Sequence, residues 1–242
     1  MADIAVRESS HVAYPFPLTN RLIASLPDED YRRLSPYLRH VGLHARQTLQ
    51  KHGQPIQEIV FPVGGVCSVV KTTEDGHAIE LFGIGREGAV GAGVAWGLSE
   101  SPADIVVQIS DNGALALPLD VCKGELMRRS VLASLLSDYC RISTVQLMQA
   151  SACNALHSAE QRACRWLLTT ADRMQAPSFP ITQELLATAL GVRRPTVTLI
   201  MADLYRNGLV TYARGRMTIV DRPALLKRAC ECYASMSLGV TD

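Results

Sequence analysis

Arginines and threonines near the end of the chain have the types and spacing to grip a polyanion and read base edges. Arg193, Arg194, Thr196 and Thr198 form one group with Pro195 among them, and Arg214 and Arg216 flank Gly215. A guanidinium pairs bidentately with guanine or holds a phosphate, and a threonine hydroxyl serves either role. Gln183, upstream, offers an amide to a further phosphate. The plain alternative is a helical hairpin whose arginines are merely solvated.

Those side chains need elements to hold them. Leu185, Leu186, Ala189 and Leu190 recur at helical spacing behind Thr182, a plausible N-cap. Gly191 suits a sharp turn. Val197, Ile200, Met201 and Leu204 make the buried stripe of a second helix, and Pro195 is tolerated in its first turn. Asn207-Gly208 ends that helix. Val210–Tyr212 and Met217–Val220 read as short strands with Arg214-Gly215-Arg216 at their tip. The order is helix, turn, helix, wing, which points to double-stranded DNA as a partner. Residues 158–242 hold 11 Lys+Arg against 7 Asp+Glu, a balance of +4, within a chain of net +1, so this end is the basic one.

The whole chain sets the bounds. Its 242 residues allow one large domain or two small ones, and 48% hydrophobic with 19% charged residues is a globular composition. The start, Met1 to His11, is polar with no apolar run behind it, so no secretory leader is expected. No stretch reaches membrane-spanning length. Seven widely spaced cysteines argue for a reducing cytoplasm rather than a disulfide framework. No nucleophile–base pair suggests an enzyme. The carboxylates Glu80, Glu87 and Asp104 look scattered and solvated.

Between Val41 and Pro118 the texture is β. The runs Ile56–Phe61, Val66–Thr72, Ala78–Phe82, Ile105–Ile109 and Ala114–Leu117 alternate, with Asp75-Gly76 as a hairpin signal. This predicts a small barrel or jelly roll. Asn20–Leu38 reads as two short helices broken by Pro27 and Pro36. Leu119–Leu156 reads as one long helix. Its core carries Leu132, Leu135, Tyr139, Ile142, Gln146, Gln149, Cys153 and Leu156, spaced alternately by 3 and 4 as in a coiled-coil seam. A second stripe, Leu136, Cys140, Leu147 and Ala150, can pack on the β-unit. A parallel homodimer through this helix is expected, with Gln146 and Gln149 meeting their copies. Ser158 and Gln161 form a capping box that opens the next helix. The fold class is α+β: a tail over 1–17, a β-roll over 18–128, a dimerisation helix over 129–157 and a winged helix-turn-helix over 158–242.

That order resembles the Crp/Fnr family of bacterial transcription regulators over about residues 18–232. The resemblance is most specific in the run from Glu160 to Leu168 and in Thr182–Ala187 through Arg214-Gly215-Arg216. It implies a cyclic-nucleotide-binding-like sensor, a two-fold dimer on a palindromic operator, and RNA polymerase as a further partner. It also implies base reading by Arg194, with Pro195 and Thr198 beside it. The nucleotide-responsive members carry an acidic residue where Pro195 stands and an arginine where Leu199 stands, so the operator is expected to differ from theirs.

The sensor departs most. In cyclic-nucleotide members a glutamate takes the ribose hydroxyl and an arginine the cyclic phosphate. Here Ala92 follows Gly91 in the glutamate's place, and Pro102-Ala103 or Ala103-Asp104 replaces the Arg-Ser pair. Alanine accepts no hydrogen bond and aspartate repels a phosphate. Cyclic AMP is therefore not expected as the effector. A candidate pocket for an unidentified ligand is drawn from Gly91, Ala92, Val94, Trp96, Ala103, Asp104, Tyr139 and Ser143. An iron–sulfur cluster would need N-terminal cysteines, and the first here is Cys67. Haem through Cys67 and His77 is a weaker reading than a structural one. Cys230-Glu231-Cys232 offers a thiol switch or two metal ligands, too few for a zinc site, so packing is the expectation and no metal or cofactor is predicted. Gly83-Ile84-Gly85-Arg86-Glu87-Gly88 matches a dinucleotide fingerprint, but no helix opens after it, so structural glycines explain it better.

Two alternatives stay open. One is an effector-free regulator. The other is a small-molecule-binding β-roll protein whose helical tail mediates only assembly.

Overall fold

The structure of the protein, a computed structural model, describes residues 20–237, 239 and 240. The expected tail over 1–17 lies outside the described residues. Two short helices, α1 (Arg21–Ala24) and α2 (Asp28–Leu34), open the fold, with a 3₁₀ turn at Ser35–Tyr37. Asn20 caps α1 and its amide also donates to the carbonyls of Pro62 and Gly88, which ties the helix to the β-unit.

Strands β1 (Arg39–Val41), β2 (Thr48–Gln50), β3 (Glu58–Pro62), β4 (Val66–Thr72), β5 (Ala78–Ile84), β6 (Asp104–Ile109) and β7 (Ala114–Pro118) build two antiparallel sheets, ordered β1-β7-β3 and β2-β6-β4-β5. Ile59, Phe61, Leu115 and Leu117 of one sheet and Val69, Ile105 and Val107 of the other share one core. This is the jelly roll that the alternation predicts. The strands β1 and β2 escape the pattern because they are three residues long and largely solvent-facing.

The helical stretch after β7 is two helices rather than one. In α3 (Leu119–Met127) the backbone runs to Arg128, then Arg129 takes a left-handed φ of 53° and Ser130 caps α4 (Val131–Leu156). An arginine in that region is uncommon, and nothing in its type announces the break. The chain turns again at His157-Ser158, where Ser158 and Gln161 form the expected capping box at the start of α5 (Ala159–Met174).

The rest is β8 (Ser178–Pro180), α6 (Gln183–Leu190), α7 (Arg194–Arg206), β9 (Val210–Ala213), β10 (Arg216–Ile219), α8 (Arg222–Arg228) and α9 (Cys232–Met236). Ala163, Leu167, Phe179, Leu186, Leu190, Val197, Leu204 and Met217 form its core, which Val66 and Ile109 of the β-roll join. The C-terminal unit is therefore packed on the β-roll. No single helix among the described residues is long and apolar enough to cross a membrane.

Two expectations change here, and a third gains its geometric reason. First, Leu132, Tyr139, Gln146 and Cys153 of the expected seam are buried inside the protomer. The helix α9 covers the end of α4: Gln146 Nε2 donates to the Met236 carbonyl at 3.4 Å and Gln149 Nε2 contacts Cys232 Sγ at 2.9 Å. The glutamines thus fasten the chain's own last helix, and Gln146 is buried by doing so. Leu147 of the second stripe is turned outward.

Second, Glu80 and Glu87 are not solvated. Glu80 accepts from Trp166 Nε1 at 3.1 Å and Ser68 Oγ at 2.9 Å, a link from the β-roll to α5. Glu87 is buried and pairs with Arg173 Nε at 2.9 Å. Asp104 also has a partner, the backbone N–H of His52.

Third, the Gly83–Gly88 motif serves close approach. A Cβ at Gly85 would sit 3.1 Å from the Arg173 stem, and one at Gly88 would sit 2.2 Å from the Tyr139 ring. These glycines let α5 and α4 pack on the turn after β5, and no nucleotide is needed to explain them.

Candidate nucleic-acid interface

The sequence places Arg193 before the second helix, and the structure makes it the N-cap of α7, with Arg194 and Pro195 in the first turn. Proline needs no hydrogen-bond partner there and its φ suits the helix. Val197, Ile200 and Leu204 bury one face, which leaves Arg193, Arg194, Pro195, Thr196 and Thr198 exposed together on the other. The first helix, α6, stops at Gly191, whose φ of 62° lets the chain reverse. A Cβ at Gly191 would also lie 2.8 Å from the Ile79 side chain.

Hydrogen bonds fix the exposed face. Thr198 Oγ1 donates to Gln183 Oε1 at 2.8 Å, which locks the two helices at the surface. Gln183 therefore uses its carboxamide oxygen internally, and only its N–H donors can meet a phosphate. From below, Arg162 Nη1 donates to the Leu190 carbonyl at 2.7 Å and Arg222 pairs with Asp172 at 2.7 Å.

The wing has a tight two-residue tip. Arg214 and Gly215 both have positive φ, 51° and 76°, the signature of a type I′ hairpin. Arg214 is exposed at the tip. Arg216 is also exposed, but its Nη2 donates to the Ser178 carbonyl at 2.9 Å, so it braces β8 as well. Sequence reading omits β8, which pairs with β10 to make a three-stranded sheet ordered β8-β10-β9. Tyr212 Oη donates to the Ile181 carbonyl at 2.8 Å and ties the wing to the start of α6.

Sequence reading assigns no contact to one further surface residue. Leu199 is 73% exposed in the middle of the arginine and threonine face. The signal for it is an apolar side chain one position off the buried stripe, on a helix otherwise polar on that side.

The proposed sensor residues fall in two places. Gly91 precedes a 3₁₀ turn at Ala92–Trp96 that packs on α4, where Trp96 Nε1 donates to Ser137 Oγ at 3.2 Å. Ala92, Val94, Ala103 and Tyr139 are buried and Ser143 is half-buried. Burial pushes the Tyr139 hydroxyl above its ordinary range, so it stays protonated. Asp104 sits at the start of β6, on the sheet that carries β2. Cys67 and His77 do not meet. Cys67 is buried opposite Ile84, whereas His77 is exposed beyond the other end of the same hairpin and pairs with Asp75. Burial pushes the Cys67 thiol up to about 12. A cavity of about 610 Å³ lies elsewhere, between the β-roll face at Ser68, Val106 and Gln108 and the α6 residues Leu185 and Thr188.

Comparison with known proteins agrees with this geometry. The family model described as a Crp-like helix-turn-helix domain matches residues 161–228. Against curated protein sequences no relative matches. Among solved structures, a putative Crp/Fnr-family transcriptional regulator from Eubacterium rectale superposes with a TM-score of 0.66 at 17% identity, over 86% of this chain and 97% of its own. A CRP-family transcriptional regulator from Thermus thermophilus gives 0.62 at 21% identity, over 78% and 96%. The c-di-GMP-responsive global regulator CLP of Xanthomonas campestris gives 0.65 at 12% identity, over 81% and 100%. Residues 161–228 are thus a Crp-like helix-turn-helix domain, carried by a chain with the fold of the Crp/Fnr-family transcriptional regulators.

Proposed function

We propose that the protein is a sequence-specific DNA-binding transcription regulator that acts as a homodimer on a two-fold symmetric operator. The observation that carries this reading is the first turn of α7. Its arginines and threonines stand exposed on a helix anchored by Val197, Ile200 and Leu204, with an arginine-tipped wing beside it. Arg194 reads a base, Arg193 and Arg214 hold phosphates, and Leu199 offers an apolar contact to a thymine methyl. Where it activates initiation, RNA polymerase is its further partner.

The dimer seam in this reading is shifted from the one the heptads first suggest. Leu135, Ile142, Gln149 and Leu156 stay, and Val131, Asp138, Val145 and Ala152 replace the four positions that the protomer buries. Spacings of 3 and 4 are kept. Val131 and Val145 are each 39% exposed and Leu156 78%, the outward apolar surface such a seam needs.

Fluorescence anisotropy on the protein's own promoter fragment against scrambled DNA, across a salt series, tests the reading. Arg194→Ala is expected to cost about 1–3 kcal/mol on the specific site and to relax the preference at one base pair. Arg214→Ala is expected to weaken all sequences alike and to lower the salt slope by about one. Equal losses from both changes on specific and random DNA would refute the assignment of roles, and no binding at low salt would refute the function. Cyclic AMP is not the effector in this reading, since Ala92 is a buried apolar residue where a hydroxyl acceptor is needed. Calorimetry with cyclic AMP is expected to show no binding, and micromolar affinity would contradict it.

A further inference from the structure

Four metal-ligating side chains from distant parts of the sequence converge where the long helix ends. Cys153 lies in the last turn of α4 and His157 is its C-cap, while Cys230 lies between α8 and α9 and Cys232 opens α9. Their ligand atoms all fall within 4.8 Å of one another. Cys153 Sγ is 3.6 Å from Cys230 Sγ, and His157 Nδ1 is 3.5 Å from Cys232 Sγ. We propose that Cys153, His157, Cys230 and Cys232 bind a single zinc ion that clips the C-terminal helices to the end of α4.

The spacing suits a single tetrahedral ion. In a tetrahedral zinc site with Zn–S of about 2.3 Å and Zn–N of about 2.05 Å, the edges are about 3.8 Å between sulfurs and about 3.6 Å between sulfur and nitrogen. The two short separations match those edges. An iron–sulfur cluster interposes several atoms between its cysteine ligands and needs a wider set. A disulfide needs its sulfurs at about 2.05 Å, so the cysteines stand as thiols at the approach a shared ion requires.

The surroundings complete the site. His157 Nδ1 faces the cysteines while its Nε2 lies 3.2 Å from Glu231 Oε1, the carboxylate–histidine arrangement that orients a metal-bound imidazole. Gln149 Nε2 reaches Cys232 Sγ at 2.9 Å, as a donor to a thiolate would. Three thiolates, a neutral imidazole and a divalent cation sum to one negative charge. Arg165 acts electrostatically on Cys153, and its buried Nε has no hydrogen-bond partner among the described residues. Each thiol gives its proton to solvent as the ion binds. With four protein ligands the site is closed, so its role is structural. It fastens the α4–α5 junction, through which the β-roll and the helix-turn-helix are joined.

The test uses the full-length protein purified under reducing conditions without chelator. Elemental analysis is expected to give one zinc per protomer. Exchange for cobalt is expected to give thiolate-to-metal charge transfer and the visible bands of a tetrahedral ion. Glu231→Gln, which leaves all four ligands in place, is expected to weaken zinc about 10–100-fold in chelator competition. Cys140→Ala, on α4 but outside the cluster, is expected to keep the full zinc content. Wild-type protein with all thiols reduced that holds neither zinc nor cobalt would overturn the site. A Cys153–Cys230 disulfide in freshly prepared protein would overturn it as well and make the pair a redox element.

Discussion

Replacing Arg173 by methionine is expected to cost about 3–5 kcal/mol of folding stability, the loss that follows when one partner of a buried ion pair is removed. Arg173 and Glu87 have side chains only 4% and 3% exposed, and they join the end of α5 to the turn after β5. Without the guanidinium, the carboxylate keeps the Gly85 N–H at 3.0 Å as a donor in a site that water scarcely reaches. The intact pair contributes far less than this loss suggests, because burying both charges is itself costly. Glu87 Oε2 and Arg173 Nη2 also lack hydrogen-bond partners among the described residues, so the pair is imperfectly satisfied. The double variant Arg173→Met with Glu87→Gln is therefore expected to recover most of the stability. Urea denaturation at fixed protein concentration measures all four corners of the cycle. Double and single variants of equal instability would mean that packing of the Arg173 stem, not its charge, is what matters.

The difference between what the sequence discloses and what it hides follows the range of the interactions. The helix-turn-helix and wing are legible because their signals are local. An apolar stripe at helical spacing, a glycine at the turn and a glycine-containing hairpin tip each act within a few residues. The β-roll is legible through alternation, except where strands are as short as β1 and β2, and β8 of the wing sheet is missed for the same reason. The break at Arg129 is hidden because a left-handed arginine resembles any other arginine. Glu87 looks solvated because its partner lies 86 positions further on. The cysteine and histidine cluster is hidden for the same reason. Cys153 and His157, four apart at a helix end, are a half-site, and so are Cys230 and Cys232. Only the docking of α9 on α4 brings the halves together. That same docking is what shifts the proposed seam. A heptad repeat states that a helix has an apolar face but not which neighbour takes it, and α9 takes part of the face first offered to a twin helix.

Val145→Asp separates the two registers. In the shifted seam, the two-fold axis brings Val145 near its copy, so the variant adds a second pair of facing carboxylates to a seam that already carries Asp138, with desolvation and repulsion acting together. The dimer is expected to dissociate, as light scattering would show, while each protomer stays folded because Val145 is already 39% exposed in it. Affinity for the full operator is then expected to fall about 10²–10⁴-fold toward that of a half-site, since the second recognition helix no longer binds intramolecularly. Leu132→Ala should do the reverse. Leu132 is fully buried within the protomer, so the change is expected to cost about 2–5 kcal/mol of stability and leave the mass that of a dimer. If Leu132→Ala gives folded monomers and Val145→Asp leaves the dimer intact, the seam runs through the positions the unshifted heptads pick out. In that case α9 must leave the end of α4 when two protomers meet. If neither change alters the mass, α4 is not the dimer contact, and two recognition helices cannot be held by it one helical turn of DNA apart.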